Sequence, residues 1–316
     1  MNDMGRPPAH APGGAGPDLQ HARAVAVEAA EVAGAMLRER TNGDLEITTK
    51  GFVGDLASVL DQEAERIIRG RLRAQFPDHC IRGEELGTSG PASRWEWVVD
   101  PLDGTNNVAI GMPTYVVGIA LCVDGDPTIG VVHEPLTERT WSALRGGGMH
   151  GPRGGQARRA RQFPPACPPA ATAGREAAGH AVDPGLTVAW TQGHRVGRRN
   201  RAARALKYVL DGVALRVLPL WAPLVSWSMI ARGDIDGFLG YQAEDIELPA
   251  GYLLAVESGV TVLDLEGQPF DARAGAFPRS FVAARPEHLD ALMGIVRTAE
   301  LLAADLPDIR IPDPTR

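Results

Sequence analysis

Trp97-Val98-Val99-Asp100-Pro101-Leu102-Asp103-Gly104-Thr105-Asn106-Asn107 decides the reading of this 316-residue chain. An apolar stretch, predicted as a strand over 95–99, stops at two carboxylates that bracket a proline turn, with Gly104-Thr105 directly behind. Upstream, Gly83 precedes a second acidic pair, Glu84-Glu85. Carboxylates at the end of a buried strand are costly unless positive charge lies between them. A hard divalent cation with oxygen ligands meets that need. Backbone N–H groups and a hydroxyl beside such a cation suit a phosphate. The pattern therefore points to metal-assisted phosphate chemistry.

Around this stretch the apolar spacing alternates between helix and strand periods. Asp18 predicts an N-cap for a helix over 19–40. An irregular segment over 50–61 leads to a second helix over 61–74, with Ala64, Ile67, Ile68 and Leu72 on one face. Phe76-Pro77 ends that helix. Strands are expected at 116–123 and 128–132, paired through Asp124-Gly125-Asp126, and again at 139–144. Gly146-Gly147-Gly148 reads as a turn.

The stretch 152–185, rich in Pro, Ala, Gly and Arg, reads as a long surface connection. Beyond it come a strand at 186–190, a basic helix at 198–210 and a strand at 213–218. A helix at 224–231 closed by Gly233, a strand at 235–239 and a helix at 248–257 follow. Strands at 260–263 and 280–284 and a helix at 287–302 complete the pattern. Such alternation predicts a layered α/β architecture. The expected organisation is a disordered leader over 1–17, an α+β subdomain over 18–151, the connection, and an α/β subdomain over 186–316.

The formal net charge of −7 argues against a general nucleic-acid coat. Cys80, Cys122 and Cys167 lie far apart, with neither disulfide-framework nor zinc spacing, so a reducing cytoplasm is expected. No signal-peptide core or membrane-length apolar run is present, and a soluble protein is expected.

Asp-Pro-Leu-Asp-Gly-Thr-Asn resembles the signature of the inositol monophosphatase family, within the lithium-sensitive, magnesium-dependent sugar phosphatases. Similarity runs from about Lys50 to Ala284 and takes in Gly83-Glu84-Glu85, Gly130-Val131-Val132, the triple glycine and Glu257-Ser258-Gly259. The resemblance implies an αβαβα sandwich of the inositol monophosphatase and fructose-1,6-bisphosphatase type. It also implies two or three Mg²⁺ per site, with Mn²⁺ as a substitute, a small phosphate ester as substrate, and a homodimer. Neither a nucleic-acid nor a membrane partner is expected.

Carried over by position, Glu84, Asp100, Asp103 and the Leu102 carbonyl would hold the ions, with Asp100 between two of them. Gly104 and Thr105 N–H groups would contact the phosphate, where Asp103 also counts as a neighbour. The Thr105 hydroxyl, paired with Asp61, would orient the attacking water, and Glu84 belongs with them to the catalytic set. Lys50 would balance the acidic charge.

Two departures from the family pattern stand out. The second family signature, Trp-Asp-x-Ala-Ala/Gly, is matched by Ile246-Glu247-Leu248-Pro249-Ala250-Gly251. Glu247 is then the last metal ligand, with Asp245 as its competitor. The position where inositol phosphatases carry a hydroxyl-binding glutamate falls on Gly240, and Leu220-Trp221-Ala222-Pro223 replaces a small-residue segment. Trp221 and Tyr241 are expected to form a flat apolar wall suited to a base, ring or modified sugar.

Other features have plainer readings. His133 and His194 are read as satisfied polar groups. The basic run Arg195, Arg198, Arg199, Arg201 and Arg204 is either a solvated helix face or an attractor of anionic substrate. A competing reading of the whole chain is a catalytically silent family member that binds protein or RNA, supported by the altered second signature.

Overall fold

The computed structural model describes residues 18–41, 47–49, 56–152 and 185–306, with side chains of 47–49 and 56–58 set aside. The predicted leader, Lys50, Cys167 and nearly all of the predicted connection lie outside the described residues.

The first helix, α1 (Leu19–Arg40), opens where expected. The Asp18 carboxylate accepts the Gln20 N–H at 2.9 Å. Its buried face is mostly alanine, so it lies close to its neighbours. A short pair, β1 (Ile47–Thr49) and β2 (Leu56–Ser58), precedes α2 (Val59–Gln75), which begins two residues earlier than predicted. Next come β3 (Cys80–Gly83) and β4 (Gly87–Ser89), neither read from the sequence, and β5 (Trp95–Asp103).

Here the structure corrects the reading of the opening stretch. Pro101 does not end the strand: β5 runs on to Asp103, with its register shifting between Asp100 and Asp103. Proline has no N–H to give a ladder, so it is tolerated at such an irregularity. A short helix, α3 (Thr105–Ala109), follows.

The meander β6 (Val116–Val123), β7 (Asp126–Glu134), β8 (Arg139–Leu144) and β9 (Gly148–His150) completes a seven-stranded sheet of order β4-β3-β5-β6-β7-β8-β9. The β6–β7 turn has only two central residues, Asp124 and Gly125, both with positive φ, and Asp126 already pairs.

The second half contains β10 (Thr187–Gln192), α4 (Arg201–Val213), β11 (Arg216–Leu218), α5 (Pro223–Arg232), β12 (Gly237–Tyr241), α6 (Leu248–Glu257), β13 (Thr261–Leu263), β14 (Phe281–Ala284) and α7 (Pro286–Asp305). Helix α4 starts three residues later than predicted because Asn200 caps it, accepting the Ala203 N–H at 3.0 Å. The five strands order as β11-β10-β12-β14-β13.

Three cores define the layers. Helices α1 and α2 cover one face of the large sheet through Leu37, Ile68 and Leu72 against Trp97, Val99 and Ile119. Helices α5 and α6 fill the space between the sheets, with Leu224, Trp227 and Leu254 in one core with Val98 of the large sheet and Phe238 and Phe281 of the smaller one. Helices α4 and α7 cover the outer face of the smaller sheet. Both faces of β5 are thus buried, which explains its consecutive apolar residues Trp97-Val98-Val99. The result is the expected layered αβαβα sandwich.

Candidate functional site

Residues three apart on a regular strand point to opposite faces. The register shift at Pro101 breaks that rule, and Asp100 and Asp103 converge at the end of β5. Both are almost fully buried. Glu247, at the N-terminus of α6, joins them, and one oxygen from each of the three lies within 4.8 Å of the others. Glu84, on the β3–β4 connection, completes the group by hydrogen-bonding the Asp100 carboxyl. Its own N–H donates to Val99 O at 3.1 Å, which extends the pairing of β3 with β5.

The electrostatics follow from this crowding. Burial pushes Asp100 well above the ordinary carboxylate value, and the charges of Glu84, Asp103 and Glu247 push further. Burial also raises Asp103, opposed by the N–H groups of Leu224 and Val225 and reinforced by Glu84. Glu247 is raised by burial, then by Asp103, Glu84 and Glu244, with Arg279 opposing. The cluster repels itself unless protons or a cation neutralise it. Its donors are all hard oxygens, the set that suits a cation of the Mg²⁺ type, so the residues fit the implied metal.

Each carboxylate is held by the fold. Asp103 Oδ2 accepts the Leu224 N–H at 2.6 Å, at the first turn of α5, where Pro223 leaves the neighbouring amides free to face it. Asp100 Oδ1 accepts the Leu102 N–H at 3.2 Å. Beside them, Thr105 Oγ lies 2.7 Å from Asp61 Oδ1 and 3.1 Å from Leu102 O. The shorter contact takes the hydroxyl proton, which leaves an oxygen lone pair for a further donor. Gly104 adopts φ 109° at the start of α3.

Glu84, Asp100, Asp103, Thr105 and Glu247 line a cavity of about 780 Å³, large enough for a whole small metabolite. Its other walls include Trp221, His194, Arg198, Lys207 and Glu244. Trp221 is 61% exposed and held at φ 52°. Asn107, fully buried, donates to Thr114 O and Leu220 O, both at 2.7 Å, and so ties the end of α3 to the residue before Trp221.

The geometry sorts the remaining candidates. Tyr241 does not share the wall with Trp221; it packs with the outer core beneath α4 and α7. Asp245 is not in the acidic group: Arg82 Nη1 pairs with it at 2.7 Å and Gly275 N–H donates to it. Gly240 is closed to any side chain, since a Cβ there would come 2.3 Å from the Phe281 ring. His133 is buried against Thr140, whose hydroxyl donates to Glu31, and does not line the cavity. Of the basic run, Arg198 reaches the cavity wall.

Sequence reasoning missed Asn107, Glu244 and Glu65. The first directly follows the recognised motif as an unassigned polar residue. Glu244 supports the cavity loop by accepting the His194 N–H at 2.9 Å.

Comparison with known proteins completes the picture. The model of the inositol monophosphatase family matches residues 18–301. The chain belongs to that family. An inositol-1-monophosphatase of Mycobacterium bovis is 29% identical over 263 residues, covering 81% of this chain and 83% of the relative. The Nus factor SuhB of Xylella fastidiosa is 41% identical over 126 residues, covering 39% of this chain and 45% of the relative. Matches of that second kind span about half the length of the relatives concerned. Among solved structures, the extragenic suppressor protein suhB of Bartonella henselae superposes with TM-score 0.72 and 25% identity over 89% of this chain and 98% of the other. The IMPase of Thermotoga maritima gives TM-score 0.71 at 20% identity, over 90% of this chain and 98% of the other, a likeness of fold. No helix among the described residues is long and apolar enough to cross a membrane.

Proposed function

We propose that this family member is a Mg²⁺-dependent phosphomonoesterase acting on a small phosphorylated metabolite. The observation that carries the reading is the convergence of Asp100, Asp103 and Glu247 beside the Thr105–Asp61 pair. Glu84, Asp100, Asp103, Glu247 and the Leu102 carbonyl would hold the ions, and Mn²⁺ would substitute. When bound, the ions lower the pKa of water and neutralise charge on the ester and its leaving oxygen.

The chain's own groups supply the rest. The Gly104 and Thr105 N–H groups bind phosphate oxygens, with Asp103 at their side. The Thr105 hydroxyl, its proton committed to Asp61, accepts a hydrogen bond from the attacking water and aims a lone pair at phosphorus. Asp61 takes up the proton that the water releases, relayed through that hydroxyl. Glu84 completes the acidic wall on the water's side. Beneath the site, the α5 amides fix Asp103 in place.

For the substrate's alcohol portion, the wall offers the exposed indole of Trp221. This favours a base, ring or modified sugar over a plain polyol such as inositol. A homodimer and a cytoplasmic setting form part of the same reading. The alternative, a non-catalytic protein- or RNA-binding member, draws support from relatives named Nus factor SuhB.

The test is phosphate release from a panel of inositol, sugar and nucleoside phosphates with Mg²⁺, repeated with Asp103→Asn. Metal-dependent turnover that falls at least about 10-fold in the variant is expected, as losing a metal ligand costs no less than losing one of its supports. Turnover absent across the panel favours the alternative. Trp221→Ala should raise KM for ring-bearing esters more than for glycerol phosphate; an equal effect on both removes the apolar-wall reading.

A further inference from the structure

Helix α2 carries a second buried acid one turn beyond Asp61. Glu65 is wholly buried, and residues four apart on a helix share a face. Asp61 reaches Thr105, while Glu65 reaches the connection that bears Glu84. Its Oε2 accepts the Glu85 N–H at 2.7 Å, and its two oxygens lie 3.2 and 3.3 Å from the Leu86 nitrogen.

Arg69 neutralises Glu65, donating from Nε to Oε1 at 2.6 Å. The same guanidinium donates to Gly87 O and Ser89 Oγ on β4. The approach is so close that a Cβ at Gly83 would fall 2.0 Å from Glu65 Oε1. Glu84 therefore sits between a glycine that only a bare backbone satisfies and two amides held by one carboxylate.

We propose that Glu65, locked by Arg69, is a positioning residue for the metal site: it fixes the Gly83–Leu86 turn so that the Glu84 carboxylate meets Asp100. The inference rests on the metal-dependent reading above. A carboxylate is the group the turn needs. Both amides point inward to one spot, and a single side chain with two acceptor oxygens and a fixed cation saturates them. An amide at the same place turns an NH₂ group toward N–H donors, so one contact becomes a repulsion and the turn relaxes. Because Asp61 and Glu65 ride on one helix face, α2 sets the Thr105 pair and the Glu84 turn together.

The experiment compares wild type with Glu65→Gln, measuring Mg²⁺ binding by calorimetry and Mn²⁺ binding by electron paramagnetic resonance on folded protein without substrate. Outer supports of metal ligands typically contribute about 10- to 100-fold in metal affinity, and a weakening of that size is expected. Kinetics supply the second readout: at saturating Mg²⁺, kcat recovers most of its wild-type value and KM for the ester stays within about twofold. Near-ultraviolet circular dichroism checks the fold. If Glu65→Gln does not fold, Arg69→Lys replaces it, since it keeps a cation at Glu65 but cannot span to Gly87 and Ser89; the same loss of metal affinity is expected. Unchanged metal affinity in a folded variant overturns the proposal. Wild-type protein that binds neither ion overturns the metal-dependent reading itself, and this inference with it.

Discussion

Asp245 and Glu247 are separated by one residue, yet one pairs with Arg82 while the other joins Asp100 and Asp103. The sequence ranked both as candidates because side-chain direction at a helix N-terminus is set by the chain's entry angle, which no local pattern reveals. Asp100, Asp103 and Thr105 were legible because they stand in a motif whose spacing is distinctive, and Glu84 and Asp61 because the resemblance extends upstream of it. Glu65 was not: a glutamate in a helix rich in Arg and Glu looks like part of a solvated face until the turn it caps is seen. The charge crowding also has a pH signature. A carboxyl whose folded pKa is raised adds stability that is complete below its unfolded value and is lost as pH rises through the folded one. For Asp100 and Glu247 the ordinary values are 3.8 and 4.5, and both are raised. Metal-free protein should therefore lose stability as pH rises from the acid side, and Mg²⁺ should restore it where the carboxyls are ionised. The rise in Tm on adding Mg²⁺ should be larger at pH 8 than at pH 5. Glu247→Gln should raise the metal-free Tm at pH 8 and remove most of the Mg²⁺ effect. Equal Tm increments at the two pH values would contradict this account.

The elements show where pattern reading succeeds and where tertiary contacts override it. Helix α6 was predicted to the residue, as was β8; α6 is a nearly all-apolar stretch bounded by Glu247 on one side and Ser258-Gly259 on the other. Helix α4 was placed early, since Arg198 and Arg199 suit a helix and the capping role of Asn200 was overlooked. Asn200→Ala should cost about 1 kcal/mol of stability, read from urea unfolding, with turnover little changed. Strand β5 passed through its proline because its neighbour β6 pairs on both sides of the irregularity. A one-sequence rule treats proline as a terminator; the sheet uses it to turn two carboxylates to the same side.

The three-core sandwich was anticipated from alternation and from the family signature together; the interdigitation of its middle layer was not. Trp227, on α5, stacks on Phe281 at 4.6 Å and meets Phe238 edge-on at 5.0 Å, while α5 also touches the large sheet. Truncating it opens a void between both sheets. Trp227→Ala should cost about 3–5 kcal/mol in urea unfolding, with circular dichroism and intrinsic fluorescence changing together. Separate transitions for the two signals would show that the sheets melt independently. The position of Glu247 on α6 also orders events in time. A nascent chain that has emerged as far as β9 already carries Asp61, Glu84, Asp100, Asp103 and Thr105, but lacks the carboxylate that closes their ring. Under the metal-dependent reading, tight capture of the ion would wait until α6 has been synthesised and has docked between the sheets, when only β13, β14 and α7 are still to follow.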